Sequence, residues 1–428
     1  MTTSFAQSLR LRAMLLGFKA VTTPLAWRGD PMARILTAGR DTDPYPFYER
    51  ARSLGDLSRS GLGVHVSASH RVSDSVLRDP RFGVDTRASL MDMKKLLLDT
   101  GGNRPVHPVD DSFIALDPPR HTRLRRTVAP WFTPRALRDL TPLVEKVVGE
   151  FLDEVEGRDQ WELMDDFASR IPIRIICEMF GIPEIDYARF IRWGTVLGAT
   201  LDGIRSAAEL ARVRAALVDL EAFFVDLVDG RRRDLGDDLV SSVIRAQSDS
   251  DEFLREDLLA TCELLMMAGY ETTLNLIGNA GLALLTHPEA RERVITSPES
   301  AENAVEEVLR WDSSVQYTVR ATTEPLTLEG VDLPTGSLVV LLLAGANRDP
   351  DVFPHPDVLD LDRPNSRGHL SFSSGIHYCV GAGLARLEAA VGMRMLFQRY
   401  PDLRISGPVV RRRSRNIRGA LSIPVSPR

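Results

Sequence analysis

A cysteine lies between two glycines and two residues after a histidine in Phe372-Ser-Ser-Gly-Ile-His-Tyr-Cys-Val-Gly381. Three roles suit a thiol placed this way: inert core residue, nucleophile or metal ligand. Gly375 and Gly381 permit positive φ and the close approach of a flat group to the backbone. Helical periodicity starts at Gly381 and runs to Arg399, so free N–H groups and a helix dipole lie beside the Cys379 sulfur and favour the thiolate. With His377 as base, Cys379 would be the nucleophile of a thiol hydrolase. As a ligand it would hold a metal or a metal-bearing group.

A second chemical stretch interrupts Asp257–Leu285. This segment is apolar nearly all round and is expected to run as a helix through the interior. Its polar break, Gly269-Tyr-Glu-Thr-Thr273, is costly there. A mid-helix glycine loses about 1 kcal/mol against alanine, and a buried carboxylate needs a partner or a shifted pKa. Thr272 can turn its hydroxyl onto the Ala268 carbonyl and bend the helix. Glu271 and Thr272 then put an acid and an alcohol side by side; the alternative is a core helix whose Glu271 meets an arginine. Glu307 and Arg310, three residues apart, share a helix face.

Composition bounds these readings. The chain has 428 residues with 43% hydrophobic and 26% charged, the balance of a globular protein with a large core. A net charge of -6 argues against general nucleic-acid binding. Cys177, Cys262 and Cys379 are few, odd in number and lack CxxC spacing, which disfavours a disulfide framework, a zinc site and an iron–sulfur cluster. A reducing, cytoplasmic location fits. The apolar run Ala13–Phe18 between Arg12 and Lys19 is too short to span a bilayer, which takes about 20 residues. It reads as a short amphipathic helix packed on the body, with membrane-surface contact as the alternative.

Helical periodicity dominates: Ala136–Glu154, Ser206–Val228, Asp257–Leu285, Ala301–Trp311 and Gly381–Arg399. Strand-like pieces are few: Leu62–Val66, Thr318–Ala321, Leu338–Leu343 and a set near Leu403–Val425. The arginine runs Arg231–Arg233 and Arg411–Arg413 read as solvated faces. The expected architecture is mainly α with small β-sheets: an extension over residues 1–40, then one domain over 41–428.

The Cys379 stretch, followed by Leu384-Ala-Arg386, resembles the haem-binding signature of cytochrome P450 monooxygenases, departing at Ser373, where that family usually has glycine. Three further stretches resemble the family's motifs in the same order. Ala268-Gly-Tyr-Glu-Thr-Thr273 is similar to its oxygen-activation motif, Glu307-Val-Leu-Arg310 to its ExxR pair, and His121-Thr-Arg-Leu-Arg125 to its HxxxR; Ala346-Asn-Arg-Asp-Pro350 also recurs in bacterial members. The resemblance covers about Asp43 to the C-terminus and implies a helix-rich triangular prism enclosing haem b.

In such a fold Cys379 would be the axial ligand. Phe372, Gly375, His377, Gly381, Ala268 and Gly269 would contact the cofactor, and His121, Arg125, Arg320 and His377 would hold its propionates. Glu271 and Thr272 would deliver protons. Glu307, Arg310 and Arg363 would form a buried structural network. The intact Glu271–Thr272 pair implies an electron-fed monooxygenase rather than a peroxide-using member. No flavin or ferredoxin domain fits in the chain, so a separate ferredoxin and ferredoxin reductase would supply electrons from NAD(P)H, docking near Arg123 and Arg126. A monomer oxidising an apolar lipid, terpenoid, steroid or polyketide is implied. Its pocket would be lined from 83–113, 193–206, 264–268, 315–319 and 418–421, with Val315-Gln-Tyr-Thr318 and Arg418 supplying polar groups to orient an oxygenated end. A haem-binding sensor without turnover shares the Cys379 ligand but needs no proton relay.

Overall fold

The computed structural model describes residues 5–38, 42–84, 105–182, 187–198, 200, 204, 206–248, 254–412 and 414–427. Among these it has fifteen α-helices. They are α1 (Phe5–Trp27), α2 (Pro31–Thr37), α3 (Tyr45–Arg52), α4 (His70–Arg78), α5 (Arg120–Val128), α6 (Pro134–Glu154), α7 (Arg170–Met179) and α8 (Tyr187–Gly198). The remainder are α9 (Ala207–Arg233), α10 (Leu239–Ser248), α11 (Arg255–Thr286), α12 (Pro288–Thr296), α13 (Pro298–Trp311), α14 (Leu343–Ala346) and α15 (Ala382–Arg399). No helix among the described residues is long and apolar enough to cross a membrane.

Helix α11 is the axis of the packing. Its first turn carries Glu256 and Asp257, which favour a helix N-terminus, and Asp257 accepts the Leu254 N–H at 3.2 Å. His287 closes the helix, and Pro288 opens α12. Between these ends nearly every residue from Asp257 to Leu284 is buried. The helix can be apolar on all sides because α7, α8, α9, α10, α13 and α15 all pack on it. Cys262, on this helix, and Cys177, on α7, are buried. Burial raises both thiols, that of Cys177 to about 12, so both behave as core residues.

The sheets are small and lie to one side. A five-stranded sheet has the order β1 (Ser58–Arg59), β2 (His65–Ser67), β8 (Leu338–Leu341), β5 (Thr318–Thr322), β3 (Phe82–Gly83). Strands β2 and β8 run parallel with His65 opposite Val339, while β5 is antiparallel to β8 with Arg320 opposite Val339. Near the C-terminus β12 (Pro424–Ser426) joins β4 (Trp161–Glu162) and β9 (Arg404–Ile405), and β10 (Val410–Arg411) pairs with β11 (Ala420–Ser422).

Two expected strands differ from those observed. Residues 61–63 turn rather than extend, because the Ser60 N–H bonds Val64 O and Gly63 takes φ 82°, so the strand starts at His65. Leu338–Leu343 divides: the strand ends at Leu341, and the Ala346 N–H turns back onto Leu342 O to make α14.

Helix α15, which follows Cys379, buries Glu388 at 2% exposure with its Oε2 unpartnered. Burial pushes this carboxyl up to about 8. A group whose folded pKa is raised stabilises the fold fully below its unfolded pKa, about 4.5 for glutamate, and loses that contribution as pH rises through 8. Glu388→Gln should therefore lack a decline of a few kcal/mol that wild type shows between these limits. Thermal melts of both proteins across that range test this; parallel curves would contradict it.

Candidate functional site

The loop before α15 is closed by backbone hydrogen bonds. Ser373 N–H donates to Leu370 O at 2.8 Å, Tyr378 N–H to Gly375 O at 3.1 Å, and Cys379 N–H to Phe372 O at 2.9 Å. Gly375 has φ 68°, and a Cβ there would strike the Leu77 carbonyl at the end of α4. Its close approach is thus to protein backbone. Gly381 differs from expectation: it caps α15 at φ -85°, and a Cβ would meet only Phe132 Cε1 at 4.0 Å. The second left-handed residue is instead Ser373, at φ 64°, which costs about 1 kcal/mol against a glycine.

The loop leaves Cys379 exposed at one side and crowded by protein elsewhere. Desolvation raises its thiol; the N–H of Gly381, then Arg125, Arg386 and the N–H of Ala382, oppose that rise and favour the thiolate. These N–H groups are the donors expected at a helix start.

At the cysteine loop, four basic residues from three elements converge. His121 and Arg125 are one turn apart on α5, Arg320 is on β5, and His377 is in the cysteine loop. The His121 and His377 rings lie 4.3 Å apart, and Arg125 donates to Tyr378 O at 2.6 Å. Both ring nitrogens of His121 and Nε2 of His377 are buried without hydrogen-bond partners. Arg320 is 5% exposed, and its guanidinium donates to Thr318 Oγ1 and Val319 O among the described residues. Burial pushes its pKa down to about 10 against the attraction of Asp117. His377 falls to about 3, through burial first and then His121, Arg320 and Arg125. Two guanidinium groups held beside neutral imidazoles whose buried nitrogens are unsatisfied match a ligand that brings its own negative charges. A porphyrin with two propionates and an iron able to take a thiolate fits these donors.

On α11, the Thr272 hydroxyl donates to Ala268 O at 2.7 Å and Asn275 Nδ2 to Glu271 O at 2.6 Å, while the helix runs on unbroken. Gly269 faces α7, where a Cβ would stand 2.8 Å from Ile176 Cδ1, so its missing side chain serves helix packing. Glu271 is 3% exposed and ion-paired with Arg412, which follows β10. Burial raises its carboxyl and Arg412 opposes the rise.

Arg412 was not foreseen, since the run Arg411–Arg413 reads as solvated. The β10–β11 pairing turns Arg412 inward to Glu271 and brings Arg411 within 3.8 Å of Asp312, while Arg413 lies outside the described residues. In the other run Arg231 is likewise committed, to Asp238 at 2.8 Å.

Glu307 and Arg310 on α13 are fully buried and joined by two hydrogen bonds of 2.9 and 2.7 Å. Arg363 donates to the same carboxylate at 3.0 Å, as does the Asp360 N–H. The remaining guanidinium hydrogens reach the carbonyls of Asn347, Pro354, Pro356 and Val358, so the segment before the cysteine loop is tied to α13. A neighbouring network has no such signal in the sequence. Glu306 accepts from Arg386 at 2.5 Å and contacts His369 Nε2 at 3.1 Å, and Arg386 stacks over Phe372 at 4.5 Å and donates to Tyr378 Oη. Burial alone would raise Glu306, but His369 and Arg386 hold it at about 2.

Much of the expected pocket lining (85–104, 199, 201–203 and 205) lies outside the described residues. The polar groups expected to orient a substrate are engaged elsewhere. Arg418 pairs with Asp312 at 2.5 Å, Gln316 bonds Tyr48 Oη and Ser313 O, and Thr318 Oγ1 takes the Arg320 donor. On α5, Arg126 is exposed and Arg123 half-buried.

The chain belongs to the cytochrome P450 family, whose profile matches residues 209–297 and 299–407. It is 37% identical over 407 residues to putative cytochrome P450 140 of Mycobacterium tuberculosis, covering 93% of this chain and 92% of that one. It is 38% identical to the vitamin D(3) 25-hydroxylase of Pseudonocardia autotrophica, covering 90% and 94%. Among solved structures, Mycobacterium smegmatis CYP164A2 without ligand superposes with a TM-score of 0.83 at 34% identity, covering 92% and 99%. The fold is that of cytochromes P450, and the chain is an oxidoreductase of the monooxygenase class.

The buried network predicts the effect of one substitution. Glu307→Ala leaves the Arg310 and Arg363 guanidinium groups without their carboxylate and should cost about 3–5 kcal/mol. Expression of this variant should yield little folded, haem-loaded protein, read as haem absorbance per unit of protein. Normal loading and an unchanged melting temperature would refute the anchoring role.

Proposed function

We propose that this P450 is a haem b enzyme with Cys379 as axial ligand, hydroxylating an apolar substrate with electrons from NAD(P)H relayed by a ferredoxin and its reductase. The observation that carries this reading is the convergence of His121, Arg125 and Arg320 on His377 of the Cys379 loop, with Arg125 also acting on the thiol. Bound there, a thiolate-ligated haem would supply dioxygen activation, because the sulfur donates electron density that favours O–O cleavage.

The protein's own part is binding, orientation and proton supply. Arg125 and Arg320 would hold the propionates, and the partnerless ring nitrogens of His121 and Nε2 of His377 would donate or accept beside them. Arg125 also grips the Tyr378 carbonyl, so cofactor binding and cysteine placement are coupled. Thr272, with its proton on Ala268 O, keeps lone pairs free and can rotate to donate toward the reacting oxygen. Glu271 brings protons inward: burial favours its acid form and Arg412 its anion, so both forms are accessible.

The exposed Arg126 on α5, near the cysteine loop, suits an acidic ferredoxin, and we assign the protein to the cytoplasm as a monomer. Relatives support an apolar substrate. One is named a 6-deoxyerythronolide B hydroxylase, one a vitamin D(3) 25-hydroxylase, and one was solved with myristic acid.

Thr272→Ala tests the proton path. The variant should retain its haem spectrum and substrate-induced spectral shift while product formed per NAD(P)H falls about tenfold or more and hydrogen peroxide rises. Coupling equal to wild type would remove Thr272 from the mechanism.

A further inference from the structure

Helix α1 has two apolar faces, and the core uses only one. Leu11 and Thr22 are fully buried, Leu15 packs on the main core, and the helix lies on α2 and touches α9. Its C-terminal end is fixed through Asp30, whose carboxylate caps α2 at Ala33 and accepts from Ser60 Oγ at 2.9 Å and Gly61 N–H at 2.6 Å. The opposite face is turned outward. Leu9, Leu16 and Trp27 are 60%, 68% and 83% exposed, with exposed Ala13 and Ala20 between them. Their spacing of three, four and seven residues aligns them in one stripe about 27 Å long. Val21 and Phe18, at 54% and 46% exposure, lie off this stripe and are not part of it.

The charges beside this stripe have one sign. Arg12 and Lys19, two turns apart, are exposed along its edge and have no ion-pair partner among the described residues. Arg10, Arg12, Lys19 and Arg28 precede the first carboxylate of the chain, Asp30, although the whole protein carries -6. An apolar stripe edged by cations, ending in an exposed tryptophan, is the composition of a helix that lies in a membrane interface.

We propose that α1 is a docking helix that lays its outward stripe on the headgroup boundary of an anionic lipid membrane. The aliphatic stems of Arg12 and Lys19 extend over the apolar boundary while their charges meet lipid phosphates. A second copy of the chain is a poorer occupant, since two copies of this helix would bring cations together with no carboxylate to answer them. Because its inner face is anchored by packing and by Asp30, the stripe is presented preformed. This inference is independent of the catalytic reading above.

The test is sedimentation of the full-length holoprotein with vesicles of mixed phosphatidylglycerol and phosphatidylcholine, or of phosphatidylcholine alone. Binding to the mixed vesicles is expected to be about tenfold or more tighter and to weaken with added salt. The double variant Leu16→Glu, Trp27→Glu should lose this binding by about tenfold or more, with melting temperature and haem spectrum unchanged because both side chains are exposed. Absence of binding to mixed vesicles, or equal binding by wild type and double variant, would overturn the proposal. So would a concentration-dependent dimer of wild type, abolished in the double variant, which would assign the stripe to a second copy.

Discussion

The carboxylate of Glu307 holds the guanidinium groups of Arg310 and Arg363 in the protein interior. Isolated ion pairs on a helix surface contribute about 0.2–0.5 kcal/mol. Here all three charges are desolvated, so the pairs are worth keeping only if every donor is satisfied. They are met by carbonyls from Asn347 to Val358, which fixes that irregular stretch against α13. Asn347 then carries the restraint onward: its Oδ1 accepts the Leu370 N–H at 2.6 Å and its Nδ2 donates to Ser371 Oγ at 2.7 Å, just before the cysteine loop begins. A chain of hydrogen bonds thus runs from Glu307 to the residues just before the cysteine loop.

The region around the sulfur shows the opposite electrostatic condition. His121, Arg125, Arg320 and His377 are pressed together, and desolvation lowers the proton affinity of all four. Such crowding is unfavourable in the protein alone and becomes favourable when an anionic ligand binds. Cofactor binding should therefore contribute to fold stability as well as to activity. The Glu306–Arg386–His369 network lies beside this region with its charges already balanced, so it restrains Phe372 and Tyr378 without adding to the demand for an anion.

Residues within one motif were legible because their partners are close in sequence or fixed by helix spacing. The Thr272 bond to Ala268 follows from a four-residue back-bond, and the meeting of Glu307 with Arg310 from a three-residue spacing. The long helices were legible from periodicity, with ends shifted by a few residues: the Thr133 cap starts one at Pro134, and the helix after Ser206 runs on to Arg233. Arg412 was not, because its partner Glu271 belongs to a distant helix and only the β10–β11 pairing brings them together. Arg418 appeared free for substrate until its bond to Asp312 was seen. The left-handed backbone of Ser373 was also hidden, since serine rarely adopts it and the neighbouring glycines drew the expectation instead. Helix α1 shows a related limit: with apolar residues on both faces, its periodicity does not say which face the core takes.

We propose that Cys379, held by this loop and flanked by these basic side chains, is the ligand of a haem iron. The most direct measurement is the carbon monoxide difference spectrum of the reduced protein, compared between wild type and Cys379→Ala at matched haem content. Wild type should give the long-wavelength band of a thiolate-bound haem, and the variant should lose it. A band of unchanged position and intensity in Cys379→Ala would show that another residue holds the iron.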